Sequence, residues 1–322
     1  MNDPKSLEGL LKTHKMDRRA FIKTAVAAGA TAAMASAVFD KAHAAAKKGG
    51  HFRQALTGGA TSDVLDPAQT LDSYMINVSA GQLRNNLTEI APDGSLRAEL
   101  AESWEASSDA ATWTFKLRKG VTFHNGKTLE AADVVASLNH HRGENTKSAA
   151  KGIVAAVEDV KADGKDTVVV ALSGGNADFP YLVSDYHLTI CPANADGSMD
   201  WQSGVGTGGY VLESFEPGVN THVKRNPNYW KENAAYFDSI ENLFVADVAA
   251  RTNALRSGEL DCIPNLDLKT VHLLQRDEKI KVFPTYGNKH TTLPMLTDVA
   301  PFDNNDVRLA LKYSIDRAEV LK

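Results

Sequence analysis

The chain has little of what marks most specialised proteins. It has two cysteines in 322 residues, which excludes a disulfide-stapled scaffold. Neither Cys191 nor Cys262 has a second Cys or His at ligand spacing, so neither reads as part of a metal site. A disulfide between them and two separate thiols both stay open, because geometry decides. Charge is mixed, with a net of −5 and no basic stripe, which argues against nucleic acid as a partner. No polybasic membrane patch follows residue 45, nor any apolar run of the roughly 20 residues a bilayer needs. Catalytic signatures are missing as well: there is no G-x-S-x-G elbow and no phosphate loop ending in Lys-Ser/Thr. A Ser/His/Asp triad is beyond sequence reading, since only the fold assembles one.

The N-terminus carries the sharpest local signal. Asp17-Arg18-Arg19-Ala20-Phe21-Ile22-Lys23 precedes a mild, alanine-rich apolar stretch from Ala25 to Phe39. Arg18 and Arg19 read as the twin-arginine pair of an export signal. Ala42-His43-Ala44 then offers a small-x-small cleavage site. The expectation is a signal over 1–44, a mature chain from near Ala45, and a periplasmic location. No cysteine follows the apolar run, so lipid anchoring is not expected. Hydrophobic content of 43% and charged content of 23% fit a globular mature chain with room for one large or two ordinary domains.

Hairpins alternate with single helices along the rest. Strands are expected at 52–56, 113–118, 240–245, 282–285 and 291–296. Hairpins are expected over 157–172, around Asp163-Gly164, and over 208–225, around Pro217-Gly218. Apolar residues at near-helical spacing predict an amphipathic helix over 74–90. Thr128 is placed to cap a helix from 129 to 141, and Gly258 to end one over 248–256. Further helices are expected over 306–314 and from 317 onward. This mixture predicts an α/β fold with a mixed sheet.

Three constellations tempt a functional reading. Gly204-Val205-Gly206-Thr207-Gly208-Gly209 leads into a strand pattern, so a tight backbone bend is expected there. His140 and His141 are adjacent and so point about 100° apart on a helix, which suits a metal poorly. Trp104, Trp113, Tyr229 and Trp230 suit core packing better than a pocket.

Four ordered segments carry a resemblance. The first runs from Leu96-x-x-x-Leu100-Ala101-Glu102-Ser103-Trp104 through Thr112-Trp113-Thr114-Phe115 to His124-Asn125-Gly126, with Asp133, Val134 and Ser137 following. The second joins Gly206-Thr207-Gly208-Gly209-Tyr210 to Arg225-Asn226-Pro227-x-Tyr229-Trp230. The third is Arg251-x-x-Ala254-Leu255-x-Ser257-Gly258-Glu259-Leu260-Asp261, and the fourth runs from Pro301-Phe302-Asp303-Asn304 to Ile315-Asp316-Arg317. Together they resemble extracellular solute-binding proteins of ABC importers, of the dipeptide/oligopeptide class that also includes nickel binders. Gly209 departs from the pattern, which usually has proline before the tyrosine.

The resemblance implies a two-lobe, periplasmic-binding-protein-like fold. The first lobe would occupy 45–300, with an inserted subdomain over about 92–185. The second would begin at 301–322, the chain then being the N-terminal part of a longer one. It implies a small-molecule or peptide ligand, membrane permease subunits as partners, a monomer, and neither a cofactor nor an enzymatic activity. By position it points to Leu71, Asp72 and Ser73, to Pro264 and Asn265, and to Asn288, Lys289 and His290 as cleft residues. Asp72 would hold an amine and Lys289 a carboxylate; the alternative for both is a solvated charge. Di- or oligopeptides are the expected cargo, with a nickel chelate, a sugar, an opine or an amine as the alternative. A chemosensing role and an exported enzyme are the remaining readings.

Overall fold

The computed structural model describes residues 6, 7, 10, 18–42, 47–285 and 292–320. It falls into two units, Met1–Leu268 and Lys269–Lys322. Among the described residues the strands are β1 (His51–Leu56), β2 (Thr88–Ile90), β3 (Leu96–Ala98), β4 (Ala101–Ala106), β5 (Thr112–Leu117), β6 (Val157–Ala162), β7 (Thr167–Leu172), β8 (Tyr210–Glu216), β9 (Asn220–Arg225) and β10 (Ser239–Phe244).

All of these strands belong to the first unit. One sheet has the order β1-β10-β9-β8, with β1 parallel to β10 and the other pairs antiparallel. A second has the order β4-β5-β7-β6 and is antiparallel throughout. The fold is thus α/β with a mixed sheet, as the pattern predicts. Both expected hairpins are present, because Gly164 and Gly218 supply the positive φ their turns require. The short helix Ser73–Val78 buries Tyr74, Met75 and Val78 against Tyr210, Val223 and Ile240 of the first sheet. The second sheet builds a larger core from Trp113, Phe115, Val168 and Val170, closed by Val134 and Leu138 of the helix Ala131–His140.

The expected helix over 74–90 stops early. After Val78 a single π turn covers Ser79–Leu83, and Arg84 is extended. The reason is the side chains that follow. The buried Arg84 guanidinium donates to Leu65 O (2.7 Å), Ser79 Oγ (2.9 Å) and Trp201 O (3.0 Å). Asn85 and Asn86 take partners outside any helix, an option that asparagine uses against helix formation. The chain then enters β2.

The helix expected from Thr128 begins later. Thr128 sits in a bridge with Thr122, and Glu130 is the cap. The fully buried Asp133 carboxylate accepts from Glu130 N–H (2.9 Å) and Ala193 N–H (2.7 Å), so the chain turns helical only past residue 130. Gly258 does end the helix Val248–Ser257 in the left-handed region.

In the second unit the helices Asn305–Ser314 and Arg317–Val320 match expectation, and Asn304 Oδ1 caps the first. Residues 282–285 and 292–296 are not strands, and residue 291 lies outside the described residues. A strand is defined by its pairing. Phe283, Leu293 and Leu296 are exposed, and no described strand pairs with these stretches.

At the N-terminus, Arg18–Ala27 and Ala32–Ala42 form two helices that pack Phe21, Ala25, Ala35 and Val38 together. No described helix is long and apolar enough to cross a membrane. His43 and Ala44 lie outside the described residues. Cys191 and Cys262 are free thiols, the first buried and the second exposed. Burial pushes the Cys191 thiol up to about 11.

The backbone bends over 207–209, as expected, and the Gly206–Gly208 stretch is also a close approach. A Cβ at Gly206 would overlap the Leu83 carbonyl, and one at Gly208 the Gln82 carbonyl. Backbone cannot retreat as a flexible side chain can. Gly208→Ala should therefore destabilise by about 3 kcal/mol or more, read from denaturant midpoints. A loss under about 0.5 kcal/mol would show that the segment has slack.

Candidate functional site

Three parallel segments of the first unit deliver their carboxyl ends to one edge of the first sheet. β1 runs into Thr57-Gly58-Gly59, and β10 into Val245-Ala246-Asp247. A third segment, Asp261–Ile263, lies on the outer side of β1, with Cys262 bridged in parallel to Gln54. Asp261 N–H donates to Arg53 O (2.9 Å), and Ala55 N–H to Cys262 O (3.3 Å). Arg53 anchors the segment with a forked contact to the Asp261 carboxylate (3.0 and 3.1 Å). Open α/β sheets place ligands in the crevice beyond such carboxyl ends.

Five of the eight residues singled out from sequence, Leu71, Asp72, Ser73, Pro264 and Asn265, lie on segments next to this edge. Asp72 lies against Gly58, where an added Cβ would overlap the Asp72 side chain. Asp72 is the cap of the helix Ser73–Val78, its Oδ1 accepting from Met75 N–H (3.0 Å). Leu71 beside it is 75% exposed. Pro264 and Asn265 continue from the Cys262 bridge, with Asn265 in the left-handed region at φ 55°. Asn288, Lys289 and His290 lie outside the described residues.

Sequence reading missed two neighbours. The Asp63 carboxylate accepts from Ala60 N–H (2.8 Å), and burial, then the charge of Asp72, raises its pKa above the usual carboxylate range. Arg251, 2% exposed, donates through Nη1 to Val245 O (2.7 Å) and Ala246 O (2.8 Å), fixing the exit of β10.

The aromatic and histidine candidates lie elsewhere. Trp113 is core, its Nε1 donating to Asn176 O (3.2 Å). Trp104 and Trp230 pack against the same core, and Arg118 stacks over the Trp230 ring at 4.9 Å. His140 Nε2 is 2.8 Å from Asp66 Oδ1, and His141 Nδ1 is 2.7 Å from Ser148 Oγ. Among the described residues, no group of three or more His, Cys, Asp or Glu side chains is arranged to hold a metal. Surface cavities of about 470 and 330 Å³ are lined by residues from His141 to Val157 and by Ile90, Tyr181 and Tyr186; neither includes a cleft residue expected from sequence, and of the histidine pair only His141 borders one.

A buried polar hub that the sequence did not announce centres on Asn85. The Asn85 side chain donates to Glu99 Oε1 (2.7 Å) and the Tyr229 hydroxyl (3.2 Å). It accepts from Thr207 Oγ1 (2.9 Å) and Trp230 Nε1 (3.3 Å). Its hydrogen-bonding capacity is thereby filled. Burial pushes the Glu99 carboxyl up, against the pull of Lys231 3.5 Å away. Around Thr207 the backbone is read by His124. Its Nδ1 accepts from Gly206 N–H (3.2 Å), so Nε2 carries the proton donated to Gly208 O (3.0 Å).

Similarity to known proteins identifies the class. Residues 95–322 match the family of bacterial extracellular solute-binding proteins, family 5 Middle, and the chain belongs to that family. It is 29% identical over 301 residues to the glutathione-binding protein GsiB of Pectobacterium atrosepticum, covering 92% of this chain and 56% of that protein. It is 27% identical over 283 residues to heme-binding protein A of Haemophilus influenzae, covering 80% of this chain and 51% of that protein. Among solved structures, NikZ from Campylobacter jejuni in complex with Ni(L-His) superposes with a TM-score of 0.73 at 19% identity, over 84% of this chain and 54% of that one. The last likeness shows the fold, that of a two-lobe periplasmic binding protein. The chain spans about half the length of the curated relatives it matches. Those relatives are named as binding proteins and not as enzymes.

Asn85→Ala should cost about 3–5 kcal/mol, because it strips partners from a buried carboxylate and from the Thr207 hydroxyl and Trp230 indole donors. Chemical denaturation would measure it. A cost below about 1 kcal/mol would mean that the hub is not needed.

Proposed function

We propose that this protein is the periplasmic substrate-binding component of an ABC importer, with di- or oligopeptides as its cargo. The family match, which spans residues 95–322, carries the reading. Glutathione is itself a short peptide, so the GsiB likeness supports a peptide cargo. The likeness to heme-binding protein A keeps a second, non-peptide cargo in view. In this reading Arg18 and Arg19 direct folded export, and residues 1–44 are removed. The first lobe occupies 45–300, and the second starts at 301–322. The protein is monomeric, and its membrane permease recognises the closed, loaded form, which ligand selects from an open–closed equilibrium.

The ligand lies across the carboxyl edge described above. Leu71, Asp72, Ser73, Pro264 and Asn265 face it; Asn288, Lys289 and His290, which lie outside the described residues, are kept as ligand contacts on the resemblance alone. Asp72 receives the ligand's amine and Lys289 its carboxylate.

Two experiments test this. Native mass spectrometry of the complete protein from an export-competent host should show retained mass in amino-acid increments. A single non-peptide mass would replace the peptide reading, and loss of no leader would overturn export. Substitution at Asp72 separates its two roles. Asp72→Asn keeps a good cap and should leave stability within a few tenths of a kcal/mol, while Asp72→Ala should cost about 1 kcal/mol. Both should weaken peptide binding about tenfold or more, the value of one charged hydrogen bond. Calorimetry with a peptide panel would read it; wild-type affinity in Asp72→Asn would leave Asp72 a cap only.

A further inference from the structure

The N-terminal segment, read from sequence as an export signal, is folded back on itself. The helix Arg18–Ala27 ends at Gly29, which has a φ of 97°. Gly29 N–H donates to Val26 O (3.0 Å) and Ala30 N–H to Ala25 O (2.9 Å). That pair of bonds closes a helix and turns the chain sharply. Thr31 then opens the helix Ala32–Ala42, its Oγ1 accepting from Met34 N–H (3.1 Å). Phe21 and Ala25, one turn apart, pack with Ala35, Val38 and Phe39, which share one face of the second helix. Phe21, Ala25 and Ala35 have no exposed surface, and the Phe21 and Phe39 rings stand 5.7 Å apart. Arg19 and Lys23 are exposed. Among the described residues, this cluster draws only on positions 7–39 and so stands apart from the cores of the two sheets.

We propose that the export signal masks itself: it folds into a helical hairpin that keeps its charges in water and hides its apolar face until the export machinery opens it. The export role rests on the function proposed above, whereas the hairpin itself does not.

What is hidden is the part that a signal offers to a membrane or a receptor. Phe21 is the large apolar residue that follows the arginine pair, and Ala25 to Phe39 is the apolar stretch. Helices of ten and eleven residues are marginal alone in water, so their mutual packing is what holds them. That packing is slight. Three of the seven buried side chains in the cluster are alanines, which remove little area from water. The closed form is therefore favoured by a small margin and is open to displacement by a partner that takes the apolar face for itself. The glycine turn serves the same end, since it divides the apolar stretch between two short helices and lets one half cover the other.

Hydrogen exchange on the full precursor, with pulse-chase processing in an export-competent host, tests this. Amides in 22–27 and 35–42 should exchange about tenfold or more slowly than in an unfolded chain. In Phe39→Ala both stretches should lose that protection together, while β5 and β7 keep theirs. Its processing should be about two- to fivefold faster, since the open fraction is no longer the limit. Phe39→Leu keeps the apolar bulk and should match the unaltered chain in both readouts. Absent protection in the unaltered precursor, or its loss in one stretch alone, overturns the hairpin. Unchanged or slower processing of an opened Phe39→Ala overturns the masking, because the apolar face is then read and not hidden. The double variant Arg18→Lys, Arg19→Lys isolates the export reading. Processing at the unaltered rate there would overturn that reading and the masking with it, whatever hydrogen exchange shows of the hairpin.

Discussion

One asparagine side chain decides how the two halves of the first unit's framework meet. Asn85 sits where the chain leaves the first sheet's helical turn and heads for β2. Its amide gathers Glu99 before β4, Thr207 before β8, and Tyr229 with Trp230 between β9 and β10. Its own carbonyl accepts from Ile190 N–H (2.9 Å). A neutral amide can do this because it offers donors and acceptors in one plane; a charged or apolar residue would orphan half of these groups. Inside a protein, an orphaned polar group costs more than a made bond contributes. The hub is therefore a constraint on all its members together, and the crowding at Gly206 and Gly208 follows from it. With Thr207 drawn onto Asn85, the flanking backbone has to pass against Gln82 and Leu83, and only glycine leaves the room.

The first sheet has buried amides of its own. Gln82 enters a second buried network, donating to Asn242 Oδ1 (2.9 Å) of β10, which also receives Gln54 of β1 (2.6 Å). The parallel β1–β10 pair is thus pinned in register by amides as well as by its ladder. Tyr74, bonded to Thr221 Oγ1 (2.8 Å) and Asn242 O (3.1 Å), seats the helix that Asp72 caps. A change of register in β1 would move Gly58, and with it the close approach to Asp72. Loops are mobile by default; here the first residues past each strand are held to within a few bonds of a buried amide network.

Much of the local architecture was legible in the sequence, because it rests on short-range chemistry. Asp163-Gly164 and Pro217-Gly218 set their turns through the positive φ of the glycine, and each joins a pair of antiparallel strands. The errors came where distant partners override local preference. Ile76, Val78, Leu83, Leu87 and Ile90 keep helical spacing, yet Arg84, Asn85 and Asn86 are claimed by Leu65, Glu99 and Asp185. The Asn85-Asn86 pair was the available warning, since asparagines disfavour a helix interior. Thr128 is a good cap in isolation, but Asp133 bonds Glu130 N–H and moves the start. Over 282–285 and 292–296 the β-rich composition is real, but composition cannot supply a partner strand. Asp72 shows the same limit at the candidate site: its helix-capping bond was not visible from position alone.

The separation between framework and edge also bears on how one fold serves different cargo. Relatives whose names specify glutathione and heme share less than 30% of their residues with this chain, yet match it along most of its length. The hub and the amide network consist of groups that satisfy one another and face the interior. Leu71, Asp72, Pro264 and Asn265 satisfy little beyond their own segments, apart from the Asp72 cap. Substitution there costs about 1 kcal/mol or less, whereas substitution at Asn85 leaves a buried carboxylate short of partners. If the edge loops carry the ligand, as proposed above, changes of cargo can be made there at small cost to stability, without touching the buried amides. Function in such a protein lies in the site carried by the fold and not in the fold itself.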